Sequence, residues 1–163
     1  MEAQARPIGV FDSGLGGISV LRACVRLLPQ ENFLFFGDSA NAPYGEKSLD
    51  QVRALTLSAV DRLLEQGVKG IVVACNTATS AAIGLLRQLH PGLPIIGIEP
   101  AVKPAALAAG SSSVIVMATP LTIREDKYQK LAAAFCGHAN VISLPCKGLA
   151  EMVERYIVSL NEN

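Results

Sequence analysis

Pro7-Ile8-Gly9-Val10-Phe11-Asp12-Ser13-Gly14-Leu15-Gly16-Gly17 reads as a strand, a tight turn and the opening of a helix in one stretch. The apolar run from Pro7 to Phe11 is continuous rather than alternating, the pattern of a parallel strand covered on both faces. Helix-spaced apolar residues resume at Val20, Leu21 and Cys24. The same order recurs along the chain. Short β-rich runs stand at Phe33 to Gly37, Gly70 to Cys75, Pro94 to Ile98 and Ser113 to Ala118, with a weaker one at Asn140 to Leu144. Between them, Leu49, Val52, Leu55, Ala59 and Leu63 return every three or four positions, which predicts a helix to about Gln66 with Gly67 to stop it. Strands alternating with helices predict an α/β fold with a doubly wound parallel sheet, whose ligands bind at the carboxyl ends of the strands.

The prolines Pro91, Pro94, Pro100 and Pro104 and the stretch Ala109-Gly110-Ser111-Ser112-Ser113 mark a change of organisation. We read residues 1–98 as a first α/β lobe and residues 99–163 as an incomplete second lobe of similar kind. The last segment puts Leu149, Met152, Val153, Tyr156, Ile157 and Leu160 on one helical face that needs a covering surface. Self-association into a homo-oligomer is one way to supply it.

Half of the 163 residues are apolar and 17% are charged, the composition of a globular chain with a sizeable core. Lysine plus arginine equals aspartate plus glutamate at 14 each, so no excess of positive charge points to nucleic acid or an anionic membrane. The expected partner is a small molecule. The polar start from Met1 to Arg6 and the short run after it resemble neither a signal peptide nor a membrane span, which implies the cytoplasm. The cysteines Cys24, Cys75, Cys136 and Cys146 match no zinc spacing. In a reducing compartment they are expected to be free thiols, and buried packing is the ordinary role of such residues.

Three segments carry chemistry. After the first strand, Asp12 and Ser13 set a carboxylate and a hydroxyl at its ligand end, and the glycines beside them let backbone N–H groups approach an anion at a helix N-terminus. The spacing is not that of a dinucleotide fingerprint. After the second strand, Asp38 and then Ala42-Pro43-Tyr44-Gly45 form a turn on the same rim. After the third, Cys75 stands immediately before a helix that Asn76 or Thr77 caps, where the helix N-terminus is expected to lower the thiol pKa. Alone, such a cysteine is ambiguous, a nucleophile, a base or a buried spacer. His90 and His138 lie in loop-like surroundings far from it in sequence.

Taken together, Gly9 to Gly17, Gly37 to Gly45 and Ala74 to Thr79, in this order and spacing, closely resemble bacterial glutamate racemases. Met117-Ala118-Thr119-Pro120-Leu121-Thr122 resembles the family's fourth strand-to-loop site. The resemblance implies a two-base reaction without metal or other cofactor. One cysteine removes the α-proton of glutamate, and a second, on the opposite lobe, returns a proton to the other face, supplying D-glutamate for peptidoglycan. It further implies that Cys75 is one base and Asp12 its acidic neighbour. Ser13, Pro43, Tyr44, Gly45, Asn76 and Thr77 would bind substrate, with Thr119 and Thr122. In the family the second thiol stands in a Cys-Thr-His motif, which does not occur in these 163 residues. Cys146 resembles a recurrent non-catalytic cysteine, and Cys24 and Cys136 are expected to be structural. A non-catalytic binding remnant and a related aspartate or hydantoin racemase are the competing readings.

Overall fold

The computed structural model describes residues 5–110 and 112–160, with the backbone alone at Val158 and Leu160. Ser111 of the serine-rich stretch and the side chain of Leu160 therefore lie outside the described residues. Strands β1 (Ile8–Asp12), β2 (Phe33–Gly37), β3 (Gly70–Val73) and β4 (Ile95–Gly97) form one parallel sheet in the order β2-β1-β3-β4. Helices α1 (Gly17–Leu27), α2 (Leu49–Glu65) and α3 (Asn76–Leu89) connect them. The chain moves outward from β1 to β2, then crosses back over β1 to β3 and on to β4. Right-handed crossovers accordingly put α1 on one face and α2 with α3 on the other, the doubly wound arrangement that the alternating pattern implied. Direction reverses between β1 and β3. Their carboxyl-end loops diverge there and leave a crevice. The two strands are held level at that point, with Phe11 opposite Val73 and Ala74 N–H donating to the Phe11 carbonyl at 2.7 Å.

Local sequence explains the helix on the buried face. Ser48 accepts from Gln51 N–H while the Gln51 side chain accepts from Ser48 N–H, so α2 starts on a reciprocal capping box. Its inward stripe of Val52, Thr56, Ala59, Val60 and Leu63 is buried against β1 and α3. Gly67, at φ 72°, ends the run in the left-handed region, as its position after the periodic residues implied. Burial of each large side chain in this core, Leu63, Ile71 and Leu86 among them, contributes about 1.5–3 kcal/mol. Thr56 is the misfit, because its Oγ1 is buried without a hydrogen-bond partner. Thr56→Val keeps the shape and removes the stranded hydroxyl, so thermal and urea unfolding should show a gain of about 1 kcal/mol.

A second parallel sheet pairs β5 (Ser113–Ala118) with β6 (Asn140–Pro145) in the register Ser113 to Asn140 through Ala118 to Pro145. Helices α4 (Val102–Ala109), α5 (Pro120–Arg124) and α6 (Asp126–Phe135) accompany it. One face is packed around Val102, Val116 and Tyr128, and the Tyr128 hydroxyl lies 2.6 Å from Ser143 Oγ. On the other face Ile115, Met117, Ile142 and Leu144 are exposed. Helix α7 (Leu149–Leu160) presents Leu149, Met152, Val153, Tyr156 and Ile157 to solvent, the uncovered apolar face expected of it. Among the described residues no helix is long and apolar enough to cross a membrane.

Candidate active site

The crevice between β1 and β3 opens into a cleft of about 680 Å³ bordered on its far side by β5, α5 and the start of α7. Asp12, Ser13, Pro43, Tyr44, Gly45, Cys75, Asn76, Thr77, Thr119 and Thr122 are all drawn to this one cleft. Topology is the reason. Each motif directly follows a parallel strand, and parallel strands release their chains at the same edge of the sheet.

Cys75 occupies the junction. It is itself the N-cap of α3, its Sγ accepting from Ala78 N–H at 3.4 Å, so neither Asn76 nor Thr77 has the capping role expected of them. Ser13 Oγ sits 3.2 Å from the same sulfur. These contacts favour a thiolate, yet the thiol pKa is raised rather than lowered. Burial is the main cause, and the Asp12 charge adds to it. The expectation of a depressed pKa was therefore wrong in sign, because a thiol almost sealed from water loses more by desolvation than the helix N-terminus returns. Asp12 is also pushed up, first by burial, against the N–H groups of Gly17, Gly14 and Ser13 that hold its charge. Since both folded pKa values lie above the unfolded ones, the stability each group lends is greatest at low pH. The carboxyl's share is lost as pH rises through its own range, and the thiol's in a later one. Iodoacetamide alkylation of Cys75 should show a pH midpoint above that of a model thiol. Asp12→Asn, by removing the neighbouring charge, should move the midpoint down.

The glycine turn is not an open anion cradle. Gly14 N–H donates to Asp12 Oδ2 at 3.1 Å and Leu15 N–H to Glu154 Oε1 at 3.2 Å, so two of the chain's own carboxylates occupy it. Glu154 reaches there from α7, and the sequence reading missed it by following only the apolar face of that helix. Its signal was an acidic residue one turn beyond Glu151 on the polar side.

Asp38 was likewise passed over as a site residue. It is buried, receives the Tyr44 hydroxyl at 2.6 Å and the Asn41 amide at 2.9 and 3.1 Å, and so binds the turn after β2 to the sheet. Tyr44 lines the cleft as expected, but sits deep in its wall. Its ring is 2% exposed and packs 6.2 Å from Phe11, and burial with the Asp38 contact raises its phenol pKa. Pro43 joins the cleft through a cis peptide bond after Ala42. Asn76 Oδ1 is buried with no partner, leaving an acceptor for a ligand N–H at the wall. Across the cleft, Thr119 caps α5 by accepting from Thr122 N–H.

All four cysteines are free. Cys136 is exposed rather than packed, standing at the C-cap of α6, and Cys24 is half-buried. Cys146 lines the same cleft as Cys75 and is half-buried, its Sγ donating to the Leu144 carbonyl at 3.5 Å.

Residues 8–156 match the family model described as Asp/Glu/Hydantoin racemase. A glutamate racemase of Clostridium novyi is 52% identical over 162 residues, covering 99% of this chain and 62% of that protein. One from Clostridium botulinum is 51% identical, with 99% and 63% covered. The chain thus spans a little over three-fifths of the length of these relatives. Among solved structures, Francisella tularensis glutamate racemase in complex with D-glutamate superposes with a TM-score of 0.77 at 32% identity, over 95% of this chain and 58% of that one. Escherichia coli glutamate racemase, in complex with L-glutamate and the activator UDP-MurNAc-ala, gives 0.78 at 33% identity, over 90% and 55%.

Proposed function

The chain belongs to the Asp/Glu/Hydantoin racemase family, and from that premise we propose that its cleft removes the α-proton of glutamate through Cys75. The observation that carries this reading is the meeting of Cys75 Sγ with Ser13 Oγ at 3.2 Å beside buried Asp12, at the switch point of the sheet. We assign residues 1–98 to the lobe that holds this base and residues 99–163 to the second lobe, whose residues between Pro100 and Glu154 supply the facing wall. The reaction is cofactor-independent interconversion of L- and D-glutamate in the cytoplasm, feeding peptidoglycan.

An α-proton beside a carboxylate is a very weak acid, so its removal requires a water-poor site and dipoles aimed at the developing enolate. The buried thiol provides the first condition. At rest it is held protonated by burial and by Asp12. A substrate ammonium beside Asp12 adds a positive charge that offsets both effects, so the base is generated when the amino acid arrives. Ser13 O–H and Ala78 N–H then hold the thiolate. Asn76, Thr77 and the Pro43-Tyr44-Gly45 turn orient the substrate. The proton returned to the opposite face comes from a second thiol outside residues 1–163, in keeping with the family's Cys-Thr-His motif.

A related aspartate or hydantoin racemase is the second reading, favoured by the breadth of the matched family. Polarimetry of the complete enzyme with D- and L-glutamate, D- and L-aspartate and a 5-substituted hydantoin separates the two. Glutamate should turn over at least about tenfold faster in kcat/KM than the others, a difference of one good polar contact. Equal or faster turnover of aspartate would reassign the substrate.

A further inference from the structure

Asp38 does not line the cleft, yet two of its contacts reach residues that do. Its N–H donates to the Asp12 carbonyl at 2.9 Å, which keeps the ends of β1 and β2 level. Its carboxylate accepts from the Tyr44 hydroxyl at 2.6 Å and from the Asn41 amide on both oxygens. A buried carboxylate needs such donors, and both come from the segment between β2 and α2, which is thereby drawn inward. Beyond Tyr44 the facing wall begins. Tyr44 shares one buried cluster with Phe11, Cys75 and Leu121, and Leu121 belongs to α5. Next to it, a Cβ built on Gly45 would fall 2.5 Å from Thr119 Cγ2 and 2.7 Å from Thr119 Cβ, so turn and wall meet without room for a methyl group.

We propose that Asp38 is a positioning residue: by clamping the Tyr44 hydroxyl it fixes the turn on which α5 rests, and so keeps the facing wall closed over Cys75. Its link to proton removal rests on the reading of Cys75 as the base, since a thiol sealed in this way meets the water-poor condition of that reaction. A change at Asp38 reaches the thiol only through Tyr44.

Iodoacetamide alkylation of residues 1–163 at one fixed pH, followed at each cysteine by mass spectrometry, tests this with exposed Cys136 as the internal reference. D38A should speed alkylation of Cys75 at least about tenfold, the rise in local opening that loss of one hydrogen bond to a charged group brings, and leave Cys136 unchanged. D38N removes the charge but keeps an oxygen for the Tyr44 hydroxyl, and should return Cys75 close to the wild-type rate. Y44F should match D38A, and D38A added to Y44F should change little further, because one clamp cannot be lost twice. The NOE from Gly45 Hα to the Thr119 methyl group should be present in the wild-type chain and in D38N, and weak in Y44F. A D38N rate as fast as that of D38A would assign the effect to charge, and full additivity of D38A and Y44F would assign it to another route. Either result overturns the proposal. So does unaltered protection of Cys75 in Y44F, which decides the matter even where D38A fails to fold. Should the wild-type chain exchange no α-proton of glutamate, the glutamate reading fails, and the alkylation rates still decide for or against the clamp.

Discussion

Cys75→Ser is expected to abolish measurable α-proton removal from glutamate, with a loss of roughly 10²- to 10⁴-fold, the usual contribution of a positioned general base. The replacement is nearly the same size and leaves the cap of α3 in place, because a serine oxygen also accepts from Ala78 N–H. What changes is acidity. A serine hydroxyl yields far less base near neutral pH than a thiol, even one pushed up by burial and by Asp12. The matching control is Cys146→Ser, on the opposite wall of the same cleft. Its thiol donates to the Leu144 carbonyl two residues back, a contact a serine hydroxyl also makes, so activity should stay within a few-fold. Steady-state assays of the complete enzyme in both forms check this, with circular dichroism to confirm folding. Comparable losses in the two variants would remove Cys75 from its assigned role.

The second large effect is expected at Gly17, the first residue of α1. A methyl group there would fall 2.5 Å from Asp12 Cβ and 3.0 Å from Asp12 Cγ, with Ala74 Cβ at 3.2 Å behind it. None of these atoms is the loose end of a flexible side chain. Gly17→Ala must therefore displace Asp12 or tilt α1, and both strands that carry the site are involved. Urea unfolding should register a loss of about 1–3 kcal/mol, the typical cost of overpacking a tight core. Chemistry should move with it. Asp12 displaced into water ionises more readily and Cys75 becomes less sealed, so the alkylation midpoint of Cys75 should fall toward that of a free thiol. Unaltered stability together with an unaltered midpoint would mean that the close packing of α1 on β1 is not what holds the carboxylate.

Much of this architecture was legible in the order of residues. Continuous apolar runs such as Gly70 to Val73, followed at once by small and polar residues, announce buried parallel strands. Once strands are parallel, the motifs that follow them share an edge, so Asp12, the Tyr44 turn and Cys75 were expected together. Motif spacing carried less about electrostatics. The position of Cys75 before a helix was readable, but its exposure was not, and exposure decides the sign of the thiol shift. The depth at which Tyr44 sits in the cleft wall was hidden for a related reason. A tyrosine in a Pro-Tyr-Gly turn reads as a rim residue, whereas the Asp38 carboxylate draws its hydroxyl inward and Phe11 receives the ring. Glu154 was out of reach for periodicity, which ranks a helix by its apolar face and is silent about which polar residue crosses to another element. The Thr77 hydroxyl's contacts with those of Thr119 and Thr122 join segments more than forty residues apart, a meeting only the folded chain brings about.

The most direct measurement is exchange of the α-proton. Residues 1–163 are incubated separately with D- and L-glutamate in deuterium oxide, with proton loss followed by NMR and optical rotation by polarimetry. One thiol on one wall reaches one face of the α-carbon. The account predicts slow deuterium incorporation into a single enantiomer, absent in Cys75→Ser, with little change in rotation. Brisk inversion of both enantiomers by this chain would contradict it, since a second base would then have to stand among residues 1–163, with Cys146 across the cleft the first to test.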